Sequence, residues 1–258
     1  MNDKKLKIEA LKENGYQLEF EHVFNLTFEN YKKIALYAGL MLFVFTILMS
    51  ILVGVGIISY LGVTGFTEMM QPENLQAEAM SETGKVILII GAVVGVCLLS
   101  PFPAGLIKMA NSAQKDEEFN VSTMFYYYRA PYFKELFVSA FIIGLFSSAT
   151  SSAIGYLGVQ YLEILTSTLI GFITMLAIPL IIFSDLKAVD AITSSIILVS
   201  KQPLTLLGLF VVSYIASLIG FFGCCIGIFF TLPFMYSLYF AAYSEIVGFD
   251  EELQENNL

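Results

Sequence analysis

Five stretches of this chain carry no Asp, Glu, Lys or Arg: residues 34–62, 86–107, 136–162, 164–184 and 202–244. A bilayer's hydrocarbon core is about 30 Å thick and takes roughly 20 apolar helical residues to cross. Each of the first four stretches is long enough for one crossing. The last, at about 1.5 Å per helical residue, is long enough for two. The sequence therefore predicts six crossings. The runs are continuously apolar and do not alternate with period 2, so they read as helices rather than barrel strands. The chain is 57% apolar and 14% charged, against about 45–50% and about 25% in an ordinary globular domain. A soluble domain, a secreted disulfide scaffold and a nucleic-acid binder are excluded on these grounds.

Orientation is set by where Lys and Arg fall, and the net charge of −9 does not decide it. Lys4, Lys5, Lys7, Lys12, Lys32 and Lys33 precede the first run. Lys108, Lys115, Arg129 and Lys134 lie in the second connection, and Lys187 and Lys201 in the fourth. The alternate connections hold only Lys85. Both termini are thus expected in the cytoplasm, in a bacterial inner membrane, and the opening segment reads as leading into an uncleaved first span. Cys97, Cys224 and Cys225 lack both disulfide and zinc spacing and read as packing residues.

An internal repeat organises the chain. Ile58-Ser59-Tyr60-Leu61-Gly62, Ile154-Gly155-Tyr156-Leu157-Gly158 and Ile219-Gly220-Phe221-Phe222-Gly223 each end an odd-numbered span. The aromatic suits a membrane interface and the glycine a helix end. Each even-numbered span carries proline: Pro101 and Pro103, then Pro179, then Pro233. Proline removes a backbone hydrogen bond and kinks a helix. Phe24-Asn25-Leu26-Thr27 and Phe119-Asn120-Val121-Ser122 introduce the first two pairs. Residues 16–31, with Leu18, Phe20, Phe24, Leu26, Phe28 and Tyr31, and 188–200, with Val189, Ile192, Ile196, Ile197 and Val199, read as in-plane interfacial helices.

The expected architecture is an all-α membrane protein, a six-transmembrane-helix bundle built from three helical hairpins. Residues 1–33 form a cytoplasmic segment with an amphipathic helix, and 34–248 form the membrane domain, with hairpins at about 34–110, 136–184 and 203–248. Residues 249–258 form an acidic tail.

The predicted spans contain only Ser, Thr and Tyr as polar residues. Ionisable groups at membrane depth mark proton relays and ion paths, and none is present there. The only histidine, His22, precedes the first span, so a metal centre or a Ser-His-Asp arrangement has no material. No cofactor and no enzymatic activity are expected. The least favoured reading is an enzyme using Asp185 with Asp190. Ser147, Ser148, Thr150, Ser151 and Ser152 read as helix-packing hydroxyls, with a cavity lining as the alternative. Gly91 and Gly95 form a GxxxG that suggests close packing within the bundle.

The most unusual polar segment is 111–135. Tyr126, Tyr127, Tyr128 and Tyr132, with Arg129 and Lys134, place aromatic rings beside bases, a composition suited to headgroup depth. An ordinary aromatic belt is the plainer reading and a lipid or partner contact the sharper one. Tyr126, Tyr127, Tyr128, Tyr132 and Phe133 cannot all share one helix face, because successive residues are about 100° apart. Some must pack inward and others outward.

Cys225-Ile226-Gly227, Thr231-Leu232-Pro233, Tyr243 and Gly248, with Ile178-Pro179, Asp190-Ala191 and Ser194, resemble a broad group of uncharacterised bacterial polytopic membrane proteins. The group is related to the membrane domain of some glycerophosphodiester phosphodiesterases. The resemblance extends over most of 20–248 and is specific over about 178–248. It implies a polytopic helical domain. The phosphodiesterase catalytic barrel is absent. The carotenoid-cleaving chemistry ascribed to some similar sequences needs a multi-histidine iron site, which one histidine cannot supply.

The function expected from these features is binding of membrane lipid or of a membrane or envelope protein partner. The alternative is a transporter or lipid-translocating protein. A reporter active only in the cytoplasm should be active when fused after Leu258 and silent at Gly65 and Gln160. Fusion assays read the topology, and a C-terminal reporter active only outside would sink it.

Overall fold

The computed structural model describes residues 3–71, 82–155, 160–223 and 226–249. Cys224, Cys225, Tyr156 to Gly158 and the tail from Asp250 onward lie outside the described residues. Every described element is helical. In chain order these are α1 (Asp3–Asn14), α2 (Phe20–Met69), α3 (Glu82–Leu99), α4 (Pro101–Gln114) and α5 (Val121–Met124), then a 3-10 turn at Tyr126–Tyr128. They continue as α6 (Tyr132–Gly155), α7 (Gln160–Ile173), α8 (Ala177–Ser184), α9 (Ala188–Lys201), α10 (Pro203–Ile219), α11 (Gly227–Thr231) and α12 (Pro233–Ile246).

Five helical stretches are long and apolar enough to cross a membrane: Phe20–Tyr60, Ile90–Gln114, Tyr132–Gly155, Tyr161–Ser184 and Pro203–Phe222. On α2, Leu36, Leu40, Leu48, Ile51 and Leu52 are exposed, a continuous apolar surface that water would cover only at high cost. The sixth expected crossing, α11 with α12, is not among the five. It is interrupted at Leu232 and carries Tyr236, Ser237, Tyr239, Tyr243 and Ser244. α12 is instead enclosed by the bundle. Phe234, Leu238, Phe240, Ala241 and Tyr243 are buried, with α2, α4 and α10 packed around the helix.

The second helix of each predicted pair is broken, and a hydroxyl serves each of the first two breaks. Pro101 opens α4 and cannot donate to the carbonyl of Cys97. The Ser100 hydroxyl donates to that oxygen instead, at 2.7 Å. Between α7 and α8, ahead of Pro179, the side chain of Ser195 on α9 bridges the gap. Its oxygen accepts from the Leu176 N–H at 3.1 Å and its hydroxyl donates to the Ile173 carbonyl at 2.9 Å. Pro233 opens α12. At the end of α11 before it, Thr231 donates to the Ser217 carbonyl of α10 at 2.7 Å. Pro103 lies in the first turn of α4.

The first and last described helices meet at one end of the bundle, where the Lys4 ammonium lies 5.8 Å from the Phe249 ring centre. Gly15, at φ +75°, closes α1 with its N–H on the Leu11 carbonyl at 2.9 Å, the left-handed turn that glycine permits. α1 then lies on α9, with Ile8 fully buried. The Lys4 ammonium donates to the Phe183 carbonyl at 3.1 Å, Tyr16 to Leu198 at 2.8 Å, and Gln202 to Tyr16 at 2.8 Å. The Ser184 and Tyr243 hydroxyls, both buried, bond at 2.7 Å. Lys33 joins α2 to the end of α4 through the Ala113 carbonyl and the Asp116 carboxylate.

Four expectations are corrected. Residues 20–31 do not form a separate in-plane helix. They are the first turns of α2 and run without a break into the span, because nothing between Tyr31 and Ile34 can stop a helix. In 188–200 the buried face is Ala188, Ala191, Ser194, Ser195, Leu198 and Val199; of the expected apolar residues Val199 is buried, whereas Val189 and Ile196 are exposed. Small residues at its first turns let α9 approach α8 closely, and Leu198 and Val199 bury the far end. The two Phe-Asn motifs are unlike in structure: Asn25 lies inside α2, whereas Asn120 caps α5 in a reciprocal box with Thr123. The Gly91–Gly95 pair has open space where side chains would stand. Close approach occurs elsewhere, where a Cβ on Gly39 would strike Phe230 and one on Gly220 would strike Thr231 and Gly227.

The hairpin plan also loosens, since α3 packs chiefly on α6, and α2 packs on α12 and α4. Replacing Ser195 by Ala should cost about 1–3 kcal/mol, because it strands two buried backbone groups. Ser194→Ala should be neutral or stabilising, since its buried hydroxyl has no partner among the described residues. Thermal unfolding in detergent distinguishes the two.

Candidate functional site

Cavities lie beside the helix breaks. Beside the α3–α4 break lies a cavity of about 490 Å³. Its walls are Leu42, Phe45 and Thr46 of α2, Val96, Leu99, Phe102 and Pro103 around the break, and Leu136, Ser139, Ala140, Ile143 and Gly144 of α6. Ile178 of α8 completes it. The lining is almost wholly apolar. Ser100, its most evident polar group, is already committed to the Cys97 carbonyl. A site of this size and character suits an apolar ligand, since small-molecule sites span about 300–1,000 Å³.

A second cavity of about 310 Å³ lies between α10, α11 and α12. It includes Tyr214, Ser217, Tyr236 and Tyr239, and it shares Pro103 and Ile178 with the first. Pro103 and Ile178 thus stand between the two spaces and border both. A third, more open space of about 550 Å³ lies along α2 from Phe45 to Ile57, with Phe66 beyond the Gly62 kink, Met70 and Leu99 also lining it.

The aromatic loop borders the first cavity. Phe45 and Phe102 stack with centroids 4.3 Å apart, and Phe125 meets each of them at 6.0 Å. Loop and helix touch through backbone here, because a Cβ on Gly105 would overlap the Met124 carbonyl. That approach brings Lys108 of α4 under the tyrosines. Its ammonium lies 4.2 Å from the Tyr126 ring centre and 5.9 Å from that of Tyr127. The Arg129 guanidinium lies 5.6 Å from the Tyr126 ring. Two cations thus converge on one ring, which attracts cations through its electron-rich face. Neither forms a salt bridge among the described residues.

The sequence-predicted contact residues are divided by the fold. Tyr126 and Arg129 are exposed, Tyr128 and Tyr132 half-buried, and Tyr127 buried. Tyr127 packs edge-on against Tyr126 and Tyr132, each at 5.1 Å. Burial, with Tyr132, Tyr126 and Asp185 nearby, raises the Tyr127 phenol above its ordinary range, so it stays protonated. Lys134 is exposed and stands outside the cluster. The cation that joins Arg129 is Lys108, a pairing with no local sequence signal because α4 supplies it.

The remaining candidates part from the cavities. Thr150 bonds back to the Phe146 carbonyl at 2.7 Å and Ser151 meets Ser167 of α7 at 3.5 Å, which is helix packing. Asp185, in the left-handed region at φ +52°, faces Tyr132, Glu135 and Lys187. The neighbouring carboxylate is therefore Glu135 and not Asp190. Glu135 already accepts the Ala188 N–H at the start of α9, at 2.9 Å. No group of three metal-ligating side chains occurs among the described residues. No protein-family model, curated protein or solved structure matches the chain.

Proposed function

We propose that this chain is a six-span protein of a bacterial inner membrane, with both termini cytoplasmic, that binds a membrane lipid. The first cavity carries the proposal. It is apolar, of ligand size, and bounded by helices apolar enough to cross a bilayer. A lipid acyl chain is the occupant that matches its lining. The loop that borders it through Phe125 also holds Tyr126 between Lys108 and Arg129, where a headgroup phosphate would find two cations. The sixth crossing is α11 with α12, enclosed by the others. The resemblance of 178–248 to bacterial polytopic membrane proteins belongs to the same reading, as does a non-enzymatic role without cofactor.

Ala140 lines the cavity, and Ala149, further along α6, does not. Ala140→Phe should at least halve the lipid that co-purifies after gentle extraction, and Ala149→Phe should leave it unchanged. Lipid mass spectrometry on the two variants reads the difference. Equal retention in both would remove the cavity from the function.

Two cavities set on either side of Pro103 and Ile178 favour a second reading, in which the protein moves lipid between leaflets. Repeats and interrupted helices are features of transporters. Liposomes containing the protein should then exchange labelled lipid between leaflets faster than empty ones, and equal rates would leave binding alone.

A further inference from the structure

An acyl-chain site gives no role to the tyrosines of the second cavity. Tyr214 stands eleven residues into α10 from Pro203, about 16 Å along the helix. Tyr236 and Tyr239 stand ten and seven residues before Ile246, about 15 and 10 Å along α12. On the six-span reading all three lie within a hydrocarbon core about 30 Å thick, deeper than the interface where tyrosine is common. The rings of Tyr236 and Tyr239 meet edge-on with centroids 6.1 Å apart. None of the three phenol hydroxyls has a hydrogen-bond partner among the described residues. Ser217 beside them already donates to the Ser213 carbonyl at 2.8 Å. Unpaired hydroxyls in hydrocarbon cost free energy that no bulk water is there to offset.

The character of the cavity restricts what can pair with them. No Asp, Glu, Lys, Arg or His lines it, so a charged ligand group would be left without a counter-charge at depth. The phenols are donors awaiting an acceptor. Tyr214 and Leu218 are 40% and 41% exposed on the bundle surface, so a molecule dissolved in the bilayer can reach the space beside them. That exposed side also leaves room for an apolar tail to run along the bundle surface into the bilayer.

We infer that the second cavity binds a neutral lipophile through its carbonyl oxygens, hydrogen-bonded by Tyr214, Tyr236 and Tyr239. This deepens the lipid-binding reading and rests on it. Two sources share the chemistry: the ring carbonyls of a quinone and the ester carbonyls of a neutral glyceride.

Native mass spectrometry of the delipidated protein, titrated with a decyl-substituted 1,4-benzoquinone, with dioleoylglycerol and with a plain long-chain alkane, tests it. The wild type should form a one-to-one adduct with at least one carbonyl probe. The triple variant Tyr214→Phe, Tyr236→Phe, Tyr239→Phe should bind that probe about tenfold or more weakly, as expected for losing several hydrogen bonds. Alkane binding should be unchanged. Quinone-only binding assigns the site to ring carbonyls and glyceride-only binding to esters. Tyr214→Phe alone, which keeps the interior pair intact, should show a smaller loss and guards against misfolding of the triple variant. Equal binding of the carbonyl probe by wild type and triple variant overturns the inference, as does failure of the wild type to bind either carbonyl probe. Phospholipid retention that is normal in the triple variant yet lost in Ala140→Phe would show that the broader lipid-binding reading survives such a failure.

Discussion

A helix broken among apolar side chains must find new partners for the backbone groups it frees. The rest of this structure depends on how that is done at three places. Pro101 cannot donate to the Cys97 carbonyl, and Ser100, one residue before it, donates there through its hydroxyl at 2.7 Å and its N–H at 3.3 Å. The α7–α8 break frees Leu176 N–H and the Ile173 carbonyl, and one hydroxyl from α9 serves both. The end of α10 is tied by Thr231 from the far side of the next break. Each solution uses a small hydroxyl residue because only a short side chain can reach a backbone group without opening the packing. The first is local, whereas the other two fix one element against another: α9 against the α7–α8 joint, and α11 against α10.

Because the breaks fall at the second member of each pair, those helices change direction where straight helices would interdigitate. Space opens on either side of α4 and α8, and Pro103 and Ile178 border both cavities. The proline that costs a hydrogen bond is in this way connected to the hollow interior and so to the proposed ligand. The cavities differ in chemistry because their walls differ. α2 and α6 bring aliphatic and aromatic carbon to the first, while α10 and α12 bring tyrosine to the second.

The end of the bundle where α1 lies is organised by tertiary contacts between segments remote in sequence. α1 reads in sequence as a charged, nearly patternless stretch, yet Ile8 is fully buried against the bundle. The aromatic loop was recognisable from Tyr126 to Tyr132, and so was the need for its rings to divide. Which ring turned inward, Tyr127, depended on Gly105 allowing the Met124 carbonyl to approach α4. Lys108 then became the partner cation in place of Lys134.

The sequence by itself determined the helical class, the apolar stretches and the places where helices break. These follow from residue type alone: charge is excluded from hydrocarbon, and proline lacks an N–H. It also marked the glycine at the end of the first span, where Gly62 adopts φ +73°. Tertiary structure alone decided which glycines mediate close approach, which face of α9 is buried, and whether the interior is filled. Gly91 and Gly95 have the spacing of a packing motif and open space around them, whereas Gly105 has no motif and a backbone against it. Spacing along a helix gives the direction of a residue, but contact requires a second element at that height and angle. The angle is set by the breaks, and through them the structure holds the tyrosines of α10 and α12 around one cavity.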